Sequence, residues 1–119
     1  MTGLLAAGCY PASQRAAAGE AARSFLAAVR EGDGQRACGL LSAAAAERLR
    51  SGGQRCEQAL AGLDLRPGAV ERVEVWGDRA QVASTRDTLF LVRLAEGWRV
   101  AAAGCRRRAG QPYECEVEA

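Results

Sequence analysis

Apolar positions in the first half of the chain recur at helical spacing. Ala18, Ala22, Phe25 and Val29 fall at i, i+4, i+7 and i+11 with Leu26 beside them, while Arg15, Glu20, Arg23 and Arg30 lie off the stripe. This is the signature of an amphipathic helix. Ser13 suits its N-terminal edge, and Gly32-Asp33-Gly34 stops it, with Gly32 as the left-handed C-terminal residue. A second helical stretch is expected over 35–50, with a break near Gly39 and with Cys38, Leu41, Ala45 and Leu49 facing inward. A third, short helix is expected over 54–62, ending before the turn Arg66-Pro67-Gly68.

Beyond Pro67 the period changes to two. Val73 and Val75 alternate with Arg72, Glu74 and Trp76, and Gly77-Asp78 has the order of a type II′ hairpin turn. Ala80, Val82 and Ser84 continue on the return strand. The segment 88–94 is apolar on both faces and is expected to be the central strand. Trp98, Val100 and Ala102 line one face of the next strand, expected to end at Cys105. A polar loop over 106–111 and a short strand over 112–117 complete the chain. Helices followed by an antiparallel meander predict an α+β fold, with the N-terminal helices packed on a curved, cone-like antiparallel sheet of four to five strands.

Length bounds this to one domain, since 119 residues fall within the usual ~150 per domain. The division expected is a signal remnant at 1–9, a tether at 10–17 and a single domain at 18–119. The chain has 16 arginines, no lysine and no histidine. Without histidine the commonest general base and metal ligand are missing, which excludes Ser–His and Cys–His nucleophilic machinery within the chain. A net charge of +2 does not point to nucleic acid. Only Arg106-Arg107-Arg108 forms a basic run, to be weighed as a contact for anionic lipid against a solvated loop.

Five cysteines carry more information. Leu4-Leu5-Ala6-Ala7-Gly8-Cys9 reads as a bacterial lipoprotein box with Cys9 as the lipidation site. The segment before it lacks a basic n-region and is too short to export the chain. Either translation starts upstream of Met1, or the box is a coincidence. Cys38, Cys56, Cys105 and Cys115 permit three pairings. Two of them sit on consecutive helices and two flank one loop, so Cys38–Cys56 and Cys105–Cys115 are expected. Disulfides imply an oxidising compartment, hence an extracytoplasmic address with the membrane reached through the anchor at Cys9. A four-thiolate metal site is the rival, but no C-x-x-C pair supports it, and no cofactor or metal is expected.

The run from Phe25 to Asp33, Ala37-Cys38-Gly39-Leu40-Leu41-Ser42, the run from Gly97 to Cys105 and Pro112-Tyr113-Glu114-Cys115 together resemble the nuclear transport factor 2-like (SnoaL-like) superfamily. More narrowly, the chain resembles small actinobacterial lipoproteins of that type over roughly residues 18–117. The resemblance implies a cone whose sheet wraps a pocket. Its members range from cyclases, isomerases and dehydratases to non-catalytic binding modules. Enzymatic members typically place an Asp, His or Tyr in the pocket; this chain has no histidine, and no Asp falls on a strand at a matching position.

Asp87, near the start of the central strand, and Tyr113 are therefore the candidates for acid–base chemistry, with turn capping the competing role for Asp87. Arg72, Glu74 and Trp76 share one strand face and form a candidate pocket wall or a solvent-facing surface. Two functions follow. One is a non-catalytic, lipid-anchored domain that binds a small apolar ligand or an envelope protein. The other is a SnoaL-like acid–base enzyme acting on a small apolar substrate. A deep apolar pocket with a buried, shifted carboxylate favours the enzyme, and a filled interior favours the binding module.

Overall fold

A computed structural model describes residues 12–110 and 112–119 in full and, for the remainder, the backbone from residue 2. Cys9 and the signal remnant before it lie outside the fully described residues. Helix α1 is Thr2–Glu31, followed by α2 (Gly34–Gly39), α3 (Ala43–Arg50) and α4 (Cys56–Ala61). The strands are β1 (Val70–Trp76), β2 (Arg79–Ser84), β3 (Thr88–Leu94), β4 (Gly97–Arg108), β5 (Gln111–Glu114) and β6 (Val117–Glu118). They form one antiparallel sheet in the order β1-β2-β3-β4-β5, with β6 also pairing with β4. The expected α+β layout is the one observed.

The stripe read from the sequence is the buried face of α1. Ala18, Ala22, Phe25, Leu26 and Ala28 pack against Ala80, Val82, Leu89, Leu91 and Val100 on one side of the sheet. Alanine at so many contact positions lets helix and sheet approach closely, and Phe25 fills the centre. The helix does not begin at Ser13. Residues 12–17, expected to belong to a tether, are helical, and Gln14 accepts a hydrogen bond from the Trp98 indole at 3.0 Å. At its other end Gly32 adopts φ 73°, and the Asp33 amide reaches back to the Ala28 carbonyl at 2.8 Å. This is the Schellman geometry that glycine favours.

The helical stretch expected over 35–50 is two helices. Between them the chain pairs with the sheet: Val100 N–H donates to the Leu40 carbonyl and Ser42 N–H to the Val100 carbonyl, both at 2.8 Å. Asp33 caps α2 through the Arg36 amide, and Ser42 caps α3 through the Ala45 amide. Each cap satisfies an amide that the helix leaves unpaired.

The strand expected to end at Cys105 runs on to Arg108, and the expected loop at 106–111 is a tight hairpin into β5. Register shifts between Thr88 and Leu91 of β3 mark bulges in β4, and bulges bend a strand. Gly104 sits in that bent region at φ +67°, and a Cβ there would lie 2.9 Å from both Leu65 Cδ2 and Glu116 Cγ. Only glycine fits. The bend carries β5 toward the sheet face opposite α1, where the Tyr113 ring meets Phe90 edge-on at 5.2 Å.

Both expected disulfides form. Cys38–Cys56 ties α2 to α4, and Cys105–Cys115 crosses from β4 to the residue after β5. Among the described residues no helix is long and apolar enough to cross a membrane.

Candidate functional site

Asp87 lies in the β2–β3 turn rather than on a strand. The Ser84 amide donates to the Asp87 carbonyl at 2.8 Å. The Ser84 hydroxyl accepts from the Arg86 and Asp87 amides at 3.2 and 3.0 Å, and it stands 3.0 Å from the Asp87 carboxylate. Ser-x-x-Asp across a hairpin turn is a local hydrogen-bonding unit of the kind short polar side chains make in turns. Burial pushes the Asp87 carboxyl above its ordinary value, against the opposing pull of the Ser84 hydroxyl and the Arg106 charge.

The interior that Asp87 borders is nearly filled. Phe25, Leu26, Val29, Leu65, Leu89 and Ala103 leave a void of about 10 Å³ beside the carboxylate. That is room for about one water and for no substrate. On its solvent side Asp87 shares a shallow depression with Tyr113, Arg106 and Arg107. The structure therefore brings the two acid–base candidates to one surface. Tyr113, however, is held by the Gln81 amide at 3.3 Å, by the Phe90 ring, and by the Arg107 guanidinium 5.5 Å from its centroid. Tyr113 thus packs β5 onto β2 and β3, while Asp87 is bonded within the β2–β3 turn.

The arginine run has partners as well. Arg106 faces Asp64 and Glu116, Arg107 covers Tyr113, and Arg108 is bonded to Glu114 at 2.5 Å. These exposed pairs are individually weak, but they make the run part of a mixed-charge surface rather than a bare cationic patch. Arg72, Glu74 and Trp76 lie together on the outer face of β1, with Trp76 58% exposed, whereas Trp98 is core at 5%. Among the described residues no group of three or more His, Cys, Asp or Glu side chains is placed to hold a metal.

One recess was not foreseen. A cleft of about 490 Å³ opens between the C-terminal turn of α1, α2 and α4, lined by Ala28, Val29, Leu60, Ala61, Leu63 and Leu65, with Gln35 and Glu57 as polar members. Its volume falls in the range of small-molecule sites. The Cys38–Cys56 bridge joins two of its three walls. Gly34 lets those walls close up, since a Cβ there would stand 2.8 Å from Glu57 Cβ. The sequence held one signal for the cleft, the short apolar series Leu60, Leu63 and Leu65 beside small residues, but its lining comes from segments that meet only in the fold.

Comparison with protein families, curated proteins and solved structures finds no match to this chain.

Proposed function

We propose that the chain is a non-catalytic, extracytoplasmic binding domain, anchored to the membrane by a lipid on Cys9 and taking a small apolar ligand into the α1–α2–α4 cleft. The observation that carries this reading is the contrast between two recesses. The interior beside the one shifted carboxylate is filled and its solvent side is only an open depression of about 460 Å³, while the α1–α2–α4 cleft is lined mainly by apolar residues and holds no acid–base pair. A catalytic pocket encloses its substrate within hydrogen-bond reach of its base; about 10 Å³ on the interior side of Asp87 admits none, and the depression on its other side is open to water. The closed interior thus weighs against the SnoaL-like enzyme, although the layered helix-on-sheet arrangement is compatible with the superfamily resemblance. Two disulfides support an oxidising address.

Binding is tested with N-phenylnaphthylamine, an uncharged fluorescent probe, competed by medium-chain fatty acids. Ala61→Trp fills the cleft from an exposed position, and Leu63→Glu places a charge in it. Saturable binding that both variants abolish supports the reading. Absent binding, or binding that neither variant alters, overturns it. Mass spectrometry of the protein from a membrane fraction tests the address: acylation at Cys9 supports the anchor, and an unmodified Cys9 refutes it.

A further inference from the structure

Strand β1 ends the strand order, so among the described residues one of its edges has no strand beside it. Helix α1 packs on one face of β1, where Gly19 approaches Val73: a Cβ on Gly19 would lie 3.3 Å from Val73 Cγ2. The edge that results has a defined hydrogen-bonding register. Trp76 and Arg79 flank the two-residue turn Gly77-Asp78 and so exchange both backbone hydrogen bonds, as the next such pair, Glu74 and Gln81, also does. Val73 and Val75 fall between these pairs. Their N–H and C=O groups therefore point away from β2, to the open edge.

Charged residues on an edge strand commonly keep a second edge away. Here their order does the reverse. Arg72, Glu74 and Trp76 occupy the face opposite α1, whereas the register shift before Arg72 turns Val70, which pairs with Ser84, to the α1 side; among the described residues no ion pair or hydrogen bond engages the side chain of Arg72 or Glu74. An antiparallel two-fold ladder centred on Arg72 would set arginine against arginine, and one centred on Glu74 would set carboxylate against carboxylate. A ladder centred on Val73 sets Arg72 against Glu74 of a second copy and Glu74 against its Arg72. It also uses the outward Val73 groups as a reciprocal hydrogen-bonded pair.

We propose that β1 pairs antiparallel with β1 of a second copy of this chain, about a two-fold axis at Val73, joining the two sheets into one. The interface is self-complementary, as a two-fold contact requires. It uses no residue of the apolar cleft and stands or falls independently of what the cleft binds.

Sedimentation equilibrium on the disulfide-bonded chain tests it. Wild type is expected to dimerise, and Arg72→Glu and Glu74→Arg each to raise the dissociation constant about tenfold or more, because each turns two attractive pairs repulsive. The double variant Arg72→Glu/Glu74→Arg restores opposite charges in both pairs and is expected to recover the dimer. Both side chains are exposed, and an unchanged circular dichroism spectrum shows that the variants fold. A chain that stays monomeric at about 1 mM overturns the proposal. So does a dimer that both single reversals leave intact.

Discussion

The indole N–H of Trp98 donates to Gln14 Oε1 at 3.0 Å, joining residues 84 positions apart. Trp98 is core, so its N–H has little access to any other acceptor. Gln14→Ala is expected to cost about 1 kcal/mol, or about 4 °C in melting temperature, and Gln14→Glu, which keeps an acceptor, distinctly less. Paired thermal melts decide. Equal loss in both variants would show that the bond is not what holds this end of α1.

The two disulfides should differ in worth. Chain entropy assigns about 3 kcal/mol to closing the 18-residue span of Cys38–Cys56 and somewhat less to the 10-residue span of Cys105–Cys115. The second span is also held by the β4–β5 hairpin. Denaturant unfolding of Cys38→Ala/Cys56→Ala and Cys105→Ala/Cys115→Ala is expected to show the larger loss in the first. A larger loss in the second would mean that the hairpin depends on its bridge.

Asp87 makes stability depend on acid in a defined direction. Its folded-state pKa is raised, so its stabilising contribution is complete below the unfolded value and is lost as pH rises through the folded one. Asp87→Asn should flatten stability across that acid window without penalty from charge loss near neutrality. Ser84→Ala removes a hydrogen bond that favours the carboxylate and should push the Asp87 titration higher still. Carboxyl NMR titration reads both. A downward move in Ser84→Ala would contradict the assignment.

Two glycines separate backbone strain from crowding. Gly104 and Gly110 have nearly equal φ, +67° and +69°, but only Gly104 has atoms within 4 Å of a built Cβ. Gly110→Ala is expected to cost about 1 kcal/mol. Gly104→Ala adds overpacking against Leu65 and Glu116, for about 3 kcal/mol in total. Equal losses would show that the β4 bend relaxes around the new methyl group.

Patterns carried by neighbours along the chain were legible in the sequence. The Ala18–Ala22–Phe25–Val29 stripe, the Gly77-Asp78 turn and the local cysteine pairs each depend on contacts within one or two elements. What escaped was set at a distance. Charge made 106–111 read as loop, yet Arg106–Arg108 are strand residues whose acidic and aromatic partners, Asp64, Glu116, Glu114 and Tyr113, come from other segments. The helical state of 12–17 goes with a partner in β4. Of the candidate site, Asp87 and Tyr113 do meet at one surface, but periodicity could not reveal that Phe25 and Leu89 fill the space behind the carboxylate. The Ser84-to-Asp87 spacing was the one local sign that the carboxylate belongs to a turn.

Gln14 is a fixed point of the fold, and it stands five residues after Cys9. A lipid on Cys9 would then hold the body on a very short leash, at most ~18 Å even with the intervening chain drawn straight. A domain so tethered would slide along the bilayer surface rather than sample the space beyond it. Whatever it meets would have to come to the headgroup layer or already reside there.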